Sequence, residues 1–409
     1  MSVEHEGRLL SAIANMSLSD FVHDAFGCLP RADQRRWAHA YLHGLLTLPG
    51  KKTLQRLAAA ASTPPVAPHG LHQFINSSPW DWNPPRRALS RIIAERGRVR
   101  AWTVGMSIIP KRGEHSVGVH RRFITETGRT VNCQAALGLF LSTEQRCFPV
   151  DWSMLLGPSW LDDERRRRVR IPEMVRPWTD WEHLVNFADF IAATGPSVRA
   201  PLVAELVNVP DVGPLVAGLA QRGIDFVLEV GPGQPVSLVD GAVPFRRWSV
   251  PQVTTAKQFL TTEKPGQRHV VGGGDQRGPS IIHCATVHLP RGTMSARWPH
   301  QGYRLLAEWS QAGKGPVRHW ITNMFDAGVD KILALAAHAV RVRSMVKEME
   351  GGFGLLDFEG RSFPGWHHHM TMVSAAYAYR GLFPTGLSGV LADQRAQELL
   401  TGAELTGAR

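Results

Sequence analysis

The stretch "AWTVGMSIIPKRGEHSVGV", residues 101–119, decides the fold. Its first nine residues are nearly all apolar and include Thr103, Val104, Ile108 and Ile109, the mark of a buried strand. Lys111-Arg112-Gly113 then turns the chain through a basic loop. "HSVGVHRRFITE" (115–126) and "NCQAALGLFLST" (132–143) read as two further strands, joined at Thr127-Gly128-Arg129. The first strand carries Gly105-Met106-Ser107 to a cationic rim, a place where a metal-binding carboxylate would be at home, and no acid stands there.

On the N-terminal side the period is helical. In "RADQRRWAHAYLHGLLTL" the positions Trp37, Ala40, Tyr41 and Leu45 share a face, leaving Arg35, Arg36, His39 and His43 to others. "KKTLQRLAAAAS" gives a short helix opening on Lys51 and Lys52. A Pro-rich break, "TPPVAPHG", follows, and after it come a short helix, a tryptophan-bearing turn and a helix exposing Arg86, Arg87 and Arg91. On the C-terminal side "SWLDDERRRRVRIP" places Asp162, Asp163 and Glu164 at a helix start and arginines after them, which suits the helix dipole. "RAPLVAELVNVPDVGPLVAGLAQRGIDFVLEV" reads strand, loop, helix, strand, and helices return from about residue 325.

The implied organisation is α/β, a mixed sheet flanked by helices. It divides into a basic helical region (1–98), the first part of a core (99–230), an irregular or β-rich insertion (231–320), a helical C-terminal part of the core (321–385) and a tail (386–409).

Totals restrict the function. The 409 residues carry 46 Lys+Arg against 35 Asp+Glu, a net charge of +11, which favours a polyanionic partner, nucleic acid before an anionic membrane. Cys28, Cys133, Cys147 and Cys284 are scattered without a CxxC pair, so neither a zinc ribbon nor a disulfide framework is expected. No window approaches a membrane span and the N-terminus lacks a leader pattern, so a soluble cytoplasmic protein is expected, nucleoid-associated if it binds DNA.

"YLHGLL" (41–46), "WDW" (80–82), "HSVGVHRRF" with "TGRTVNCQAALGLFLS", "SWLDDERRRRVRIPE", "QRGIDFVLEV" and "FEGRSFPGWHHHMTMVSAAYAY" (358–379) together resemble bacterial insertion-sequence transposases of the DDE superfamily. That resemblance implies a helical DNA-binding N-terminal region, an RNase H-like core and an insertion within it. It also implies two aspartates and a glutamate holding two divalent metals, about 4 Å apart, for in-line phosphoryl displacement. Carried over one at a time, the first aspartate falls on Gly105, the second on Leu206 beside Glu205, and the glutamate on Arg343, with Glu348 and Glu350 further along. A glycine, a leucine and an arginine cannot hold magnesium, so the resemblance implies a domesticated, catalytically inactive transposase that needs no cofactor and binds double-stranded DNA as a regulator or architectural factor. A homodimer is among the assemblies it allows.

The residues expected on DNA are Arg35, Arg36, Lys51, Lys52, Lys111, Arg112, His120, Arg121, Arg122 and the run Arg165, Arg166, Arg167, Arg168. Two other readings stand beside this one. An active Mg2+-dependent nuclease would use displaced acids, Glu205, Glu348 or Glu350 with Asp151 or Asp211. A repurposed protein would use the old cleft for a small acidic ligand or a protein partner. "HHH" (367–369) points its rings about 100° apart on a helix and so does not converge on one ion. "GPGQP" (231–235) and "VGGGDQRG" (271–278) lack a phosphate-loop pattern and read as plain loops. The tryptophans read mainly as core.

Overall fold

The computed structural model describes residues 16–60, 67–124, 127–195, 198–238, 253–262, 267–271, 280–290, 302–309, 316–386 and 388–390. In chain order its elements begin with helices α1 (Leu18–Phe26), α2 (Ala32–Thr47), α3 (Leu54–Ala60), α4 (Ala67–Asn76) and α5 (Asn83–Arg96). Strands β1 (Val99–Pro110), β2 (His120–Ile124), β3 (Arg129–Thr143) and β4 (Cys147–Leu155) follow, then a 3-10 turn (Pro158–Leu161), α6 (Asp163–Arg168) and α7 (Asp180–Thr194). Next come β5 (Leu202–Leu206), α8 (Gly213–Gln221), β6 (Phe226–Val230), β7 (Pro235–Leu238), β8 (Val253–Thr255) and α9 (Ala256–Thr262). The antiparallel strands β9 (Gln267–Val271), β10 (Ser280–His288), β11 (Tyr303–Trp309) and β12 (Pro316–Thr322) lead to two long helices, α10 (Val329–Gly352) and α11 (Phe363–Leu382).

These elements form two units. The first comprises Met1–Arg98, Met106–Pro177 and Arg343–Arg409. Its centre is α11, whose residues from Trp366 to Tyr379 are all buried, with β4 and helices α1, α2, α4 and α5 packed round it. β3 pairs antiparallel with β2 over Arg129–Cys133 and with β4 over Ala135–Ser142. The second unit comprises Val99–Gly105 and Trp178–Val342. There β1 and β5 run parallel, as do β5 and β6, and β6 then meets β12 antiparallel, giving a mixed sheet. Its core joins Ala101, Val203, Val227, Ile282, Leu306 and Trp320 to Ile332, Leu335 and Ala336 of α10.

Some local readings shift. "SVGV" is not strand: Gly118 sits at φ +73, which ends extension, and Val117 and Val119 are buried in a turn, so β2 begins only at His120. The α4 helix starts at Ala67, inside the expected Pro-rich break, whose residues 63–66 lie outside the described residues. β4 carries a proline and an aspartate that hide its period, although all nine of its residues are buried. Helix α7 was not anticipated; Thr179 and Glu182 cap it reciprocally. Most of the "VGGGDQRG" loop (272–278) and tail residues 391–409 lie outside the described residues. In "GPGQP" Gln234 accepts from the Val212 amide at 3.0 Å and donates to Pro235 O at 3.0 Å, tying the turn to the start of α8.

Candidate nucleic-acid interface

The first unit gathers part of the basic sequence onto one surface. The loop after β1 is held from below by Asn132, whose Nδ2 donates to Lys111 O at 3.0 Å and Gly113 O at 3.1 Å. The 3-10 turn and α6 lock to the same loop: Trp160 Nε1 donates to Val119 O at 3.1 Å, and Arg165 donates to Glu114 O at 3.0 Å with its guanidinium 4.0 Å from the Trp160 ring centre. Asp162 starts α6 by accepting from the Arg165 amide at 2.7 Å, so the acid-then-arginine order works as a helix start. Loop, hairpin and α6 therefore present Arg112, Arg121, Arg167 and Arg168 as exposed side chains of one assembly, with Arg122 and Arg165 half-buried beside them.

Several expected contacts are spent on the protein instead. Arg166 is buried and donates to Trp160 O and to the carbonyls of Pro172 and Val175, holding the 172–175 turn. Lys52 is buried, with its amine on Leu48 O and its amide on Asp357, and burial lowers its pKa. The Lys111 amine donates to Phe358 O at 2.7 Å and is likewise lowered by burial, while Lys51, exposed, lies 3.7 Å from Glu359. Both Lys52 and Arg166 are thus corrected from DNA contacts to structural cations: a chain of carbonyls needed a donor, and the long side chains reached it. Arg35 donates to Leu29 O, Arg36 lies exposed over Trp37, and His120 Nδ1 is 2.9 Å from Gly118 O. Arg168 pairs with Glu164 along α6, an exposed i,i+4 pair worth little.

Sequence reasoning missed Phe123, which is 60% exposed in β2. The alternation of "HRRFI" was the signal, because Phe123 shares the parity of Arg121.

The resemblance assigns the three metal ligands to Gly105, Leu206 and Arg343. Gly105 lies in β1, and Leu206, 7% exposed, ends β5. Trp102 pairs with Leu202 and Thr103 with Val203, so continuing that register sets Glu205 rather than Leu206 level with Gly105. Glu205 is exposed, and its charge helps raise the Arg318 pKa, after the larger effect of the Glu229 hydrogen bond. Arg343 is an exposed residue of α10.

The displaced acids are engaged elsewhere. Asp151 is buried against Arg86, Asp211 accepts from the Gly213 amide at 2.8 Å, and Glu348 accepts from Tyr377 at 2.9 Å. Glu350 is 3.5 Å from Ser107 Oγ, and burial raises its carboxyl. Among the described residues no three His, Cys, Asp or Glu side chains stand together in a way that could hold a metal ion. A glycine, a leucine and an arginine supply no hard anionic oxygen, so this donor set does not fit the two-metal centre of phosphoryl transfer.

A DDE superfamily endonuclease model matches residues 24–252, more than half of the chain. The chain belongs to that family, and its mixed α/β architecture is of the RNase H-like kind. No curated protein matches it. Among the described residues no helix is long and apolar enough to cross a membrane.

Proposed function

We propose that this member of the DDE endonuclease superfamily has lost strand cleavage and binds double-stranded DNA, as a regulator or architectural factor descended from an insertion-sequence transposase. The observation that carries the reading is the surface of loop 111–116, the β2–β3 hairpin and α6, where Arg112, Arg121, Arg167 and Arg168 are exposed in a chain of net charge +11. Such a surface follows phosphates and gains affinity by releasing counterions. Gly105 and Arg343, at positions where the chemistry needs carboxylates, support the loss of cutting.

Fluorescence anisotropy with a labelled duplex, recovered as bound genomic DNA from cells, tests the binding. Affinity should fall steeply between about 50 and 200 mM salt, as expected for several phosphate contacts. Arg112→Gln with Arg121→Gln should flatten that slope by about two contacts. In parallel, supercoiled plasmid with Mg2+ or Mn2+ should stay uncut. Nicking that disappears in Glu205→Gln would return the protein to the active nucleases, and no duplex affinity at about 100 mM salt would leave the cleft of a repurposed protein as the better reading.

A further inference from the structure

We infer that the exposed face of the β2–β3 hairpin is a stacking platform for unpaired nucleobases, with Phe123 as its aromatic surface. This rests on the DNA-binding reading and narrows what kind of DNA the surface takes.

The placement follows from the strand register. Phe123 stands opposite Thr130 and Arg121 opposite Asn132, so these four side chains project from one side of the hairpin. The other side carries His120, Arg122 and Ile124 opposite Cys133, Val131 and Arg129; it is buried at Cys133, half-buried along β2 and exposed at Arg129. Phe123, Arg121, Arg129 and Thr130 are all exposed. Asn132 binds the 111–113 loop to the same hairpin, which brings Arg112 to it. A phenyl ring that is 60% exposed is thus set beside the exposed guanidinium of Arg121 and the Thr130 hydroxyl, with exposed Arg112 on the adjoining loop. No described residue of the two strands or of their Thr127-Gly128 turn is acidic; Glu126, in the same connection, lies outside the described residues.

Charge complementarity selects the occupant. An apolar protein partner would meet the uncompensated charges of Arg121 and Arg112, whereas a nucleic acid strand brings phosphates for the arginines and flat bases for the ring. Duplex DNA buries its base faces in the stack, so a ring on a strand surface can be used only by bases that are unpaired, at an end, a nick or a tail. Among the described residues β2 ends the strand order of its sheet, with no further strand beyond it.

The test uses the full chain and three labelled probes: a duplex, the same duplex with a short single-stranded tail, and that duplex with an abasic tail. The tail with bases should raise affinity and the abasic tail much less. Phe123→Ala should remove about tenfold of the tail's contribution with the salt slope unchanged, and Phe123→Trp should keep it. Arg121→Gln should weaken all three probes and lower the slope by about one. If Phe123→Ala leaves tail affinity unchanged while duplex binding persists, the platform is wrong and the DNA reading stands. If no probe binds, the DNA reading itself fails. If Phe123→Ala instead turns a dimer into a monomer in sedimentation, with DNA affinity unchanged, the face belongs to a second copy of this chain and the inference is overturned.

Discussion

Arg86 enters the interior of the first unit from α5, almost wholly buried, and every direction its guanidinium points holds an acceptor. Nε donates to Thr371 Oγ1 at 2.8 Å, one terminal nitrogen to Asp151 and to Trp152 O, and the other to His367 O at 3.1 Å and His367 Nδ1 at 3.2 Å. Burial pushes the Asp151 carboxyl up and the Arg86 guanidinium down, each opposed by the charge of the other. A pair held this way is costly to break from one side, since the survivor is left charged in a dry place. Asp151→Ala should therefore lower the unfolding free energy by about 3–5 kcal/mol, read from urea denaturation, while replacing both partners with apolar residues should cost less. A loss under about 1 kcal/mol in the single variant would show that Arg86 is compensated by its carbonyls alone. The same geometry removes Asp151 from the acids a nuclease could recruit.

At the scale of elements, α11 carries three consecutive histidines into the interior. His367 stacks on Trp82 with ring centres 4.4 Å apart, and His368 stacks on Trp80 at 3.8 Å. His369 lies 2.9 Å from the Tyr41 hydroxyl and, at its other nitrogen, 2.9 Å from Gly354 O. Burial lowers His368 and His369 to about 4, and His367 is also lowered. The two nitrogens of His368 each face a carbonyl at 2.8 Å, Ile75 O and Trp80 O, and these contacts pull its pKa upward against burial without overcoming it. An unfolded histidine titrates near 6.5, so between about pH 6.5 and pH 4 the unfolded chain binds more protons than the folded one. Stability is then complete above about pH 6.5 and drains as pH falls toward 4. Scanning calorimetry at pH 7.5 and pH 5 should show a lower Tm at pH 5, and the double variant His368→Gln, His369→Gln should show less of that drop. An unchanged Tm in the wild type would mean that the rings take up protons in the folded chain as readily as in the unfolded one.

The elements also show what could be read in advance and what could not. β5, α8 and β6 were legible because apolar runs, Gly-Pro and a helical period alternate cleanly there. β4 was not, because Pro149 and Asp151 mimic a loop until Arg86, 65 residues away, is seen to neutralise the acid. The arginine run looked uniform in sequence, yet one turn of helix sends Arg166 inward to carbonyls and Arg167 and Arg168 outward. Which cations meet solvent depends on where the long side chains find buried acceptors, and no local pattern encodes that.

For the whole molecule, the proposed loss of cutting can be tested by asking whether a single change brings cutting about. In-line displacement on two metals requires hard anionic ligands at three places, and the loss of any one costs orders of magnitude in rate. Continuing the β1–β5 register sets Glu205 level with Gly105, the residue to which the resemblance assigns the first aspartate, so Gly105→Asp would give the second unit a pair of acids. The resemblance assigns the third ligand to Arg343, an exposed cation of α10. Gly105→Asp alone should therefore leave supercoiled plasmid intact in Mg2+ or Mn2+, and so should Arg343→Glu alone. The salt dependence of duplex binding should differ from wild type by no more than the charge changed, one unit for Gly105→Asp and two for Arg343→Glu, because neither residue belongs to the loop, hairpin and α6 surface. If Gly105→Asp alone nicks plasmid, a third acid is already in place. Arg343 would then not be the position of the lost glutamate, and Glu348 or Glu350, one or two turns further along α10, would be the residue to mutate next.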